Sequence, residues 1–149
     1  LLVCIADFQV SVPEIGSSKS VTKPFVLLTS NNTREMSEAL KRRCLHLFIP
    51  LPDPRLEREI IRVRAPDVPE KLRGQLVSFI QQVRKLDLKK VPSVSETIDW
   101  AKVLMILNAT ELRPDLIKDT LNIFLKFEAD IEIVKGSLYQ MAEKTTREI

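Results

Sequence analysis

Three glycines in 149 residues are too few for most nucleotide-gripping loops. A GxxxxGK[ST] phosphate loop or a GxGxxG turn needs them at fixed spacing, and neither pattern occurs. There is one histidine, His46, and no GxSxG or HExxH, so a Ser-His-Asp triad and a zinc protease are both unsupported. His46 lies in a strand-like run with nothing nearby to orient it, and reads as a structural histidine. The two cysteines, Cys4 and Cys44, make no CxxC pair and complete no zinc site with a single histidine. Both sit in apolar surroundings and read as buried, reduced thiols of a cytoplasmic protein. No apolar run approaches the roughly 18 residues of a membrane span. Aromatics are sparse, at one Trp, one Tyr and six Phe, and 23 Lys+Arg against 20 Asp+Glu leave a net charge of +3 with the signs interspersed. That is a poor signature for nucleic acid. The chain opens on Leu-Leu-Val-Cys-Ile with no Met and no basic stretch, which lacks the layout of a signal peptide and reads as a chain cut inside a structural element. Taken alone, it does not read as a complete enzyme.

What is present falls into two zones. Residues 1–50 hold three strand-like runs: Gln9–Val12, followed by a turn-forming Pro-Glu-Ile-Gly; 25–29, a continuous apolar run; and 45–49, ending at Pro50. Apolar runs without alternation suit strands covered on both faces, as in a parallel α/β sheet. Between the last two, Asn32-Thr33-Arg34-Glu35 forms a capping box and predicts a short helix. The proline-rich connector 50–54 is the expected domain boundary.

Residues 51–149 predict a helical bundle. Asp53-Pro54 reads as N-cap and first helical residue of a helix with Leu56, Ile60 and Ile61 on one side and Arg55, Glu57, Arg58, Glu59 and Arg62 on the others. Asp67-Val-Pro-Glu70 reads as a capping box before Leu72, Leu76, Phe79, Ile80 and Val83. Ser93-Val-Ser-Glu96 starts a third helix, apolar on most sides and so expected at the centre. Arg113-Pro114-Asp115 opens a fourth, and Ile131, Val134, Leu138 and Met141 make a last stripe. Residues 54–130 are expected to fold autonomously as four helices.

One constellation carries chemistry. The apolar run 25–29 ends in Ser30-Asn31-Asn32, and in an open α/β sheet chemistry sits beyond the carboxyl ends of the strands. Asn31 occupies that place and is not used by the helix cap. A helix follows, ending Ala39-Leu-Lys41-Arg42-Arg43-Cys44. These residues, with Gln9-Val-Ser-Val-Pro-Glu-Ile-Gly16, resemble in order the hairpin, sensor-1 strand and arginine-finger segment of the MoxR group of AAA+ ATPases, in the branch linked to carbon monoxide dehydrogenase maturation. Pro52-Asp-Pro54 and Val94-Ser-Glu-Thr-Ile-Asp-Trp100-Ala resemble the entry to that family's lid and its third helix. The resemblance covers most of residues 1–130.

It implies an α/β fragment, residues 1–50, from the end of an AAA+ core sheet, followed by an all-α lid, residues 51–149, with a C-terminal helix. Asn31 matches the sensor-1 residue that helps position the water attacking the γ-phosphate. Arg43 matches the arginine finger, which reaches ATP held by a neighbouring subunit, and Arg42 is the alternative finger. For both arginines a cationic helix end complementing the macrodipole is the plain reading. ATP and Mg2+ are implied for the parent protein, none for these residues alone, because the lysine loop and the magnesium-holding Asp-Glu segment would precede residue 1. The implied partners are further copies in a ring, a hexamer, and a client metalloenzyme or its accessory protein; neither membrane nor nucleic acid is expected. The stretch Ser95-Glu96-Thr97 lacks the sensor-2 Arg that many lids carry there. The rival reading is a non-enzymatic helical protein-interaction module.

Overall fold

The structure is a computed structural model describing residues 9–12, 14, 16–19, 21–22, 25–30 and 37–147. The chain divides into two units, Leu1–Ile49 and Pro50–Ile149.

In the first unit, β1 (Gln9–Val12) and β2 (Gly16–Lys19) pair antiparallel, with Gln9 opposite Lys19 and Val12 opposite Gly16. Gly16 has φ of +88°, a left-handed conformation that costs a side-chain-bearing residue but not glycine. The hairpin is the sheet of the described residues. Neither of the other expected strands is formed: residues 25–30 and 45–50 have no regular structure, and Phe25 (89%) and Leu47 (81%) are exposed. A strand needs a ladder with a neighbouring strand and a covered face, and the sheet of the described residues is the β1–β2 hairpin alone. His46 accordingly stands exposed rather than inside a strand, and Cys44 is half-buried rather than buried. Of the helix expected after residue 32, the described part is α1 (Glu38–Lys41), with Ser37 at its N-cap and no side-chain cap bond. The Asn32 capping box and Cys4 lie outside the described residues.

The second unit is all-helical: α2 (Pro54–Arg64), α3 (Glu70–Val83), α4 (Val94–Ile106), α5 (Pro114–Phe124) and α6 (Glu128–Arg147). Its starts follow local chemistry. Asp53 accepts the Leu56 amide at 2.8 Å, with Pro54 in the first turn. At α4 the capping box is complete: the Glu96 amide reaches Ser93 Oγ, and Glu96 Oε2 accepts the Ser93 amide at 2.7 Å. The box expected at Asp67 is not made. Pro69 holds the N-cap of α3 with no side-chain bond, since a proline in that position leaves no hydroxyl or carboxylate where one is needed. At the other end of α4, Asn108 has φ of 53°, the Ala109 amide bonds Leu104 O and the Asn108 amide bonds Met105 O. That is a Schellman termination, with Asn in the place usually taken by Gly.

α3 packs on α2, α4 and α6; α4 also packs on α2 and α5; α6 closes the bundle against α3 and α5. α4 is therefore less central than its apolar composition predicts. It buries Trp100, Ala101 and Leu104 but leaves Ile106 and Leu107 exposed, while α3 buries Leu72, Leu76, Val77, Phe79, Ile80 and Val83. At the centre the Trp100 ring lies tilted, its centroid 4.5 Å from that of Phe124 and 5.7 Å from that of Phe79, and its indole N–H donates to Thr120 Oγ1 at 2.8 Å. A buried tryptophan keeps its stabilising area only if that N–H finds an acceptor, and here it does. Val134, Leu138, Met141 and Ala142 of α6 belong to the same core, so the expected unit of 54–130 stops short of the residues that seal it.

Candidate functional site

Asn31, the expected sensor-1 residue, lies outside the described residues. The arginines themselves end α1. The α1 backbone closes through Arg42 N to Glu38 O and Arg43 N to Leu40 O, each at 3.0 Å. Arg43 Nη1 donates to Ala39 O at 3.0 Å, satisfying a carbonyl that the helix end leaves open. Arg42 Nε stands 4.0 Å from Glu38 Oε2, with Lys41 Nζ 3.8 Å from the other oxygen of the same carboxylate. Both guanidinium groups are exposed, Arg42 at 81% of its side chain. A surface pair at that separation is weak and readily exchanged for an incoming anion. Either arginine thus has most of its five donors available to a phosphate or carboxylate.

The second unit holds a polar cluster around Glu57, a residue grouped above with the charged positions of α2. Glu57 is fully buried. Its Oε2 accepts Arg84 Nη1 at 2.7 Å and Gln81 Nε2 at 2.8 Å; its Oε1 accepts Arg84 Nη2 at 2.7 Å and Thr97 Oγ1 at 3.1 Å. Arg84 Nε also donates to Pro92 O at 2.9 Å. The bidentate pair joins α2, the end of α3 and α4. With its donors committed to Glu57, Pro92 and Thr97, Arg84 is a strut rather than a free phosphate hand. Thr97, in the stretch without a sensor-2 Arg, serves the same strut. The signal for Glu57 was its place four residues before Ile61, on the apolar stripe of α2.

Other polar groups fix loops. Asp130, buried in the first turn of α6, accepts the amides of Lys89 at 2.8 Å and Lys90 at 3.1 Å. Gln75 Oε1 accepts the Leu112 amide at 2.8 Å. Partial burial pushes the Glu96 carboxyl up, but hydrogen bonds from Lys90 and Ser93 and the Lys90 charge outweigh it and hold Glu96 below its ordinary value of 4.5. Among the described residues no three His, Cys, Asp or Glu side chains gather as a metal site, and no helix is long and apolar enough to cross a membrane. Comparison with protein-family models, with curated proteins and with solved structures finds no match.

Proposed function

We propose that this chain is the C-terminal portion of a MoxR-type AAA+ ATPase, a cytoplasmic protein that hydrolyses ATP as a ring, a hexamer, and remodels or matures client metalloenzymes. The observation that carries the reading is one of order. A hairpin, an apolar run ending at Asn31 and a helix ending in Arg42-Arg43 are followed directly, from Pro50, by an all-helical unit. On this reading the helical unit is the lid. The exposed apolar runs 25–29 and 45–49, irregular here, would on this reading become strands in the longer protein, against neighbours from its preceding part. Exposed segments of that kind pair with whatever edge is offered, so a missing sheet accounts for them.

Two residues of this chain act on the triphosphate in the proposed mechanism. Asn31 orients the attacking water, since a carboxamide both donates to and accepts from it. Arg43 meets the phosphate oxygens of the neighbouring subunit's ATP, a task suited to a group that stays ionised and forks onto two oxygens. The phosphate-gripping loop and the magnesium ligands fall to residues outside this chain, and no step is drawn through them.

The test is ATP hydrolysis by the full-length protein and its Asn31→Ala variant. The reading expects Mg-ATP binding in both and hydrolysis lost in the variant. A full-length protein that neither binds nor hydrolyses Mg-ATP would overturn it and leave the helical interaction module standing.

A further inference from the structure

Arg55, Arg58 and Arg62 stand at i, i+3 and i+7 on α2 and share one face of it. Arg73 of α3 joins them, and with Glu59 and Glu70 they line a shallow groove of about 470 Å³. The arginines are unevenly neutralised. Arg62 is paired with Glu59 at 2.7 Å, but Arg58 donates only to the Pro54 carbonyl of its own helix, and no carboxylate of the described residues pairs with Arg55 or Arg58.

Arg73 is the unusual member. Its side chain is 8% exposed, and its Nη1 meets Glu70 Oε2 at 2.8 Å. Its Nη2 meets Val68 O at 2.9 Å, and its Nε is buried with no partner among the described atoms. A guanidinium at that depth is costly to bury unless fully paired. Here its one carboxylate is 80% exposed, so water competes for it. The groove is short of negative charge.

Beside the cationic row, the same helix presents Leu56 (53%) and Val63 (72%), both exposed and seven residues apart, with half-buried Ile60 between them. The free surface of α2 is thus basic along one line and apolar along the next. A complementary occupant carries carboxylates and apolar side chains at matching helical spacing. Glu59 and Glu70 would face the phosphates of a nucleic acid, and no aromatic among the lining residues is there to stack a base.

We infer that the α2–α3 groove docks an acidic amphipathic segment of a partner protein, its carboxylates on the exposed Arg55 and Arg58, beside the buried charge of Arg73, and its apolar side chains on Leu56 and Val63. This inference does not rest on the ATPase reading; it holds equally for a lid and for a stand-alone module.

The experiment uses the full chain and a fluorescein-labelled helical peptide with Glu at i, i+3 and i+7 and Leu on the adjoining line, read by anisotropy. Controls are the same peptide with Lys for Glu, and an oligothymidine. Wild type should bind the acidic peptide and neither control, and binding should weaken as salt rises. The double substitution Arg55→Glu with Arg58→Glu, at exposed positions, should weaken it by about tenfold or more. Lys102→Glu, on exposed α4 surface, should leave it unchanged. Circular dichroism verifies that the variants fold. Failure of wild type to bind the acidic peptide, binding indifferent to the double substitution, or tighter binding of the oligothymidine would each overturn the proposal.

Discussion

Removing Arg84 should be among the most damaging single changes to the helical unit. Glu57 is fully buried and takes two of its four hydrogen bonds from the Arg84 guanidinium, both at 2.7 Å. Arg84→Ala leaves that carboxylate with Gln81 and Thr97 alone, and strands the Pro92 carbonyl. An uncompensated buried charge of this kind costs about 3–5 kcal/mol. A domain of this size has a total stability of roughly 5–15 kcal/mol, so the variant loses about a fifth of it or more. Trp100 reports the loss well, because it is the one tryptophan, is fully buried and packs against Phe79 and Phe124. With a urea slope of roughly 1–3 kcal/mol/M, the fluorescence midpoint should fall by a molar or more. The double replacement Glu57→Leu with Arg84→Met should recover most of the loss, because it removes both charges together and leaves Gln81 with Pro52 O and Thr97 with Ser93 O. The penalty should persist in high salt, which screens buried pairs weakly. Arg84→Ala within about 1 kcal/mol of wild type, or a double variant as unstable as the sum of the singles, would refute the reasoning.

Three further outcomes follow from particular contacts. At the left-handed Asn108 (φ 53°), Asn108→Gly should stabilise by a few tenths of a kcal/mol, and Asn108→Ala should cost about 1 kcal/mol, both by urea unfolding; the opposite order would contradict the Schellman assignment. Because Glu96 is held below 4.5 in the folded chain, its contribution is fully present above that value and is lost as the pH falls through its folded value. The stability gap between wild type and Glu96→Gln should therefore be constant near neutrality and shrink in acid; a gap that grows below 4.5 would be wrong in sign. Truncation after residue 130 removes Val134, Leu138, Met141 and Ala142 from the core and should abolish cooperative unfolding of the bundle by circular dichroism, whereas a chain ending at 147 keeps it.

The helices were legible because their signals are local. Asp53-Pro54 and Ser93 with Glu96 are cap chemistry that acts within one turn, and Leu72, Leu76, Phe79 and Val83 repeat at the helix period. Asp67 misled because the same motif contains Pro69, which takes the cap position itself. Glu57 misled because a charged residue on a helix is normally solvated; its burial depends on Arg84, twenty-seven residues on, and no local pattern announces so distant a partner. The runs 25–29 and 45–49 have strand composition, yet a strand is stabilised by neighbours rather than by its own residues, and composition alone does not form one. Of the candidate site, Arg42 and Arg43 could be followed to an exposed helix end. The groove arginines were visible only as charges until Arg73, from the next helix, was brought beside them.

The most direct test of the ATPase reading is a mixed-ring experiment on Arg43 in the full-length protein. Arg43→Ala should leave nucleotide affinity nearly intact and lower hydrolysis by about 10³-fold, the low end of an arginine finger's contribution. In rings assembled from wild-type and Arg43→Ala subunits, the variant subunit should disable its neighbour's site while its own turns over beside a wild-type neighbour. Arg42→Ala should do much less, since successive helix-end side chains diverge by about 100°. Unchanged turnover in an all-Arg43→Ala ring would contradict the account and leave Arg43 as the cap it makes on Ala39 O.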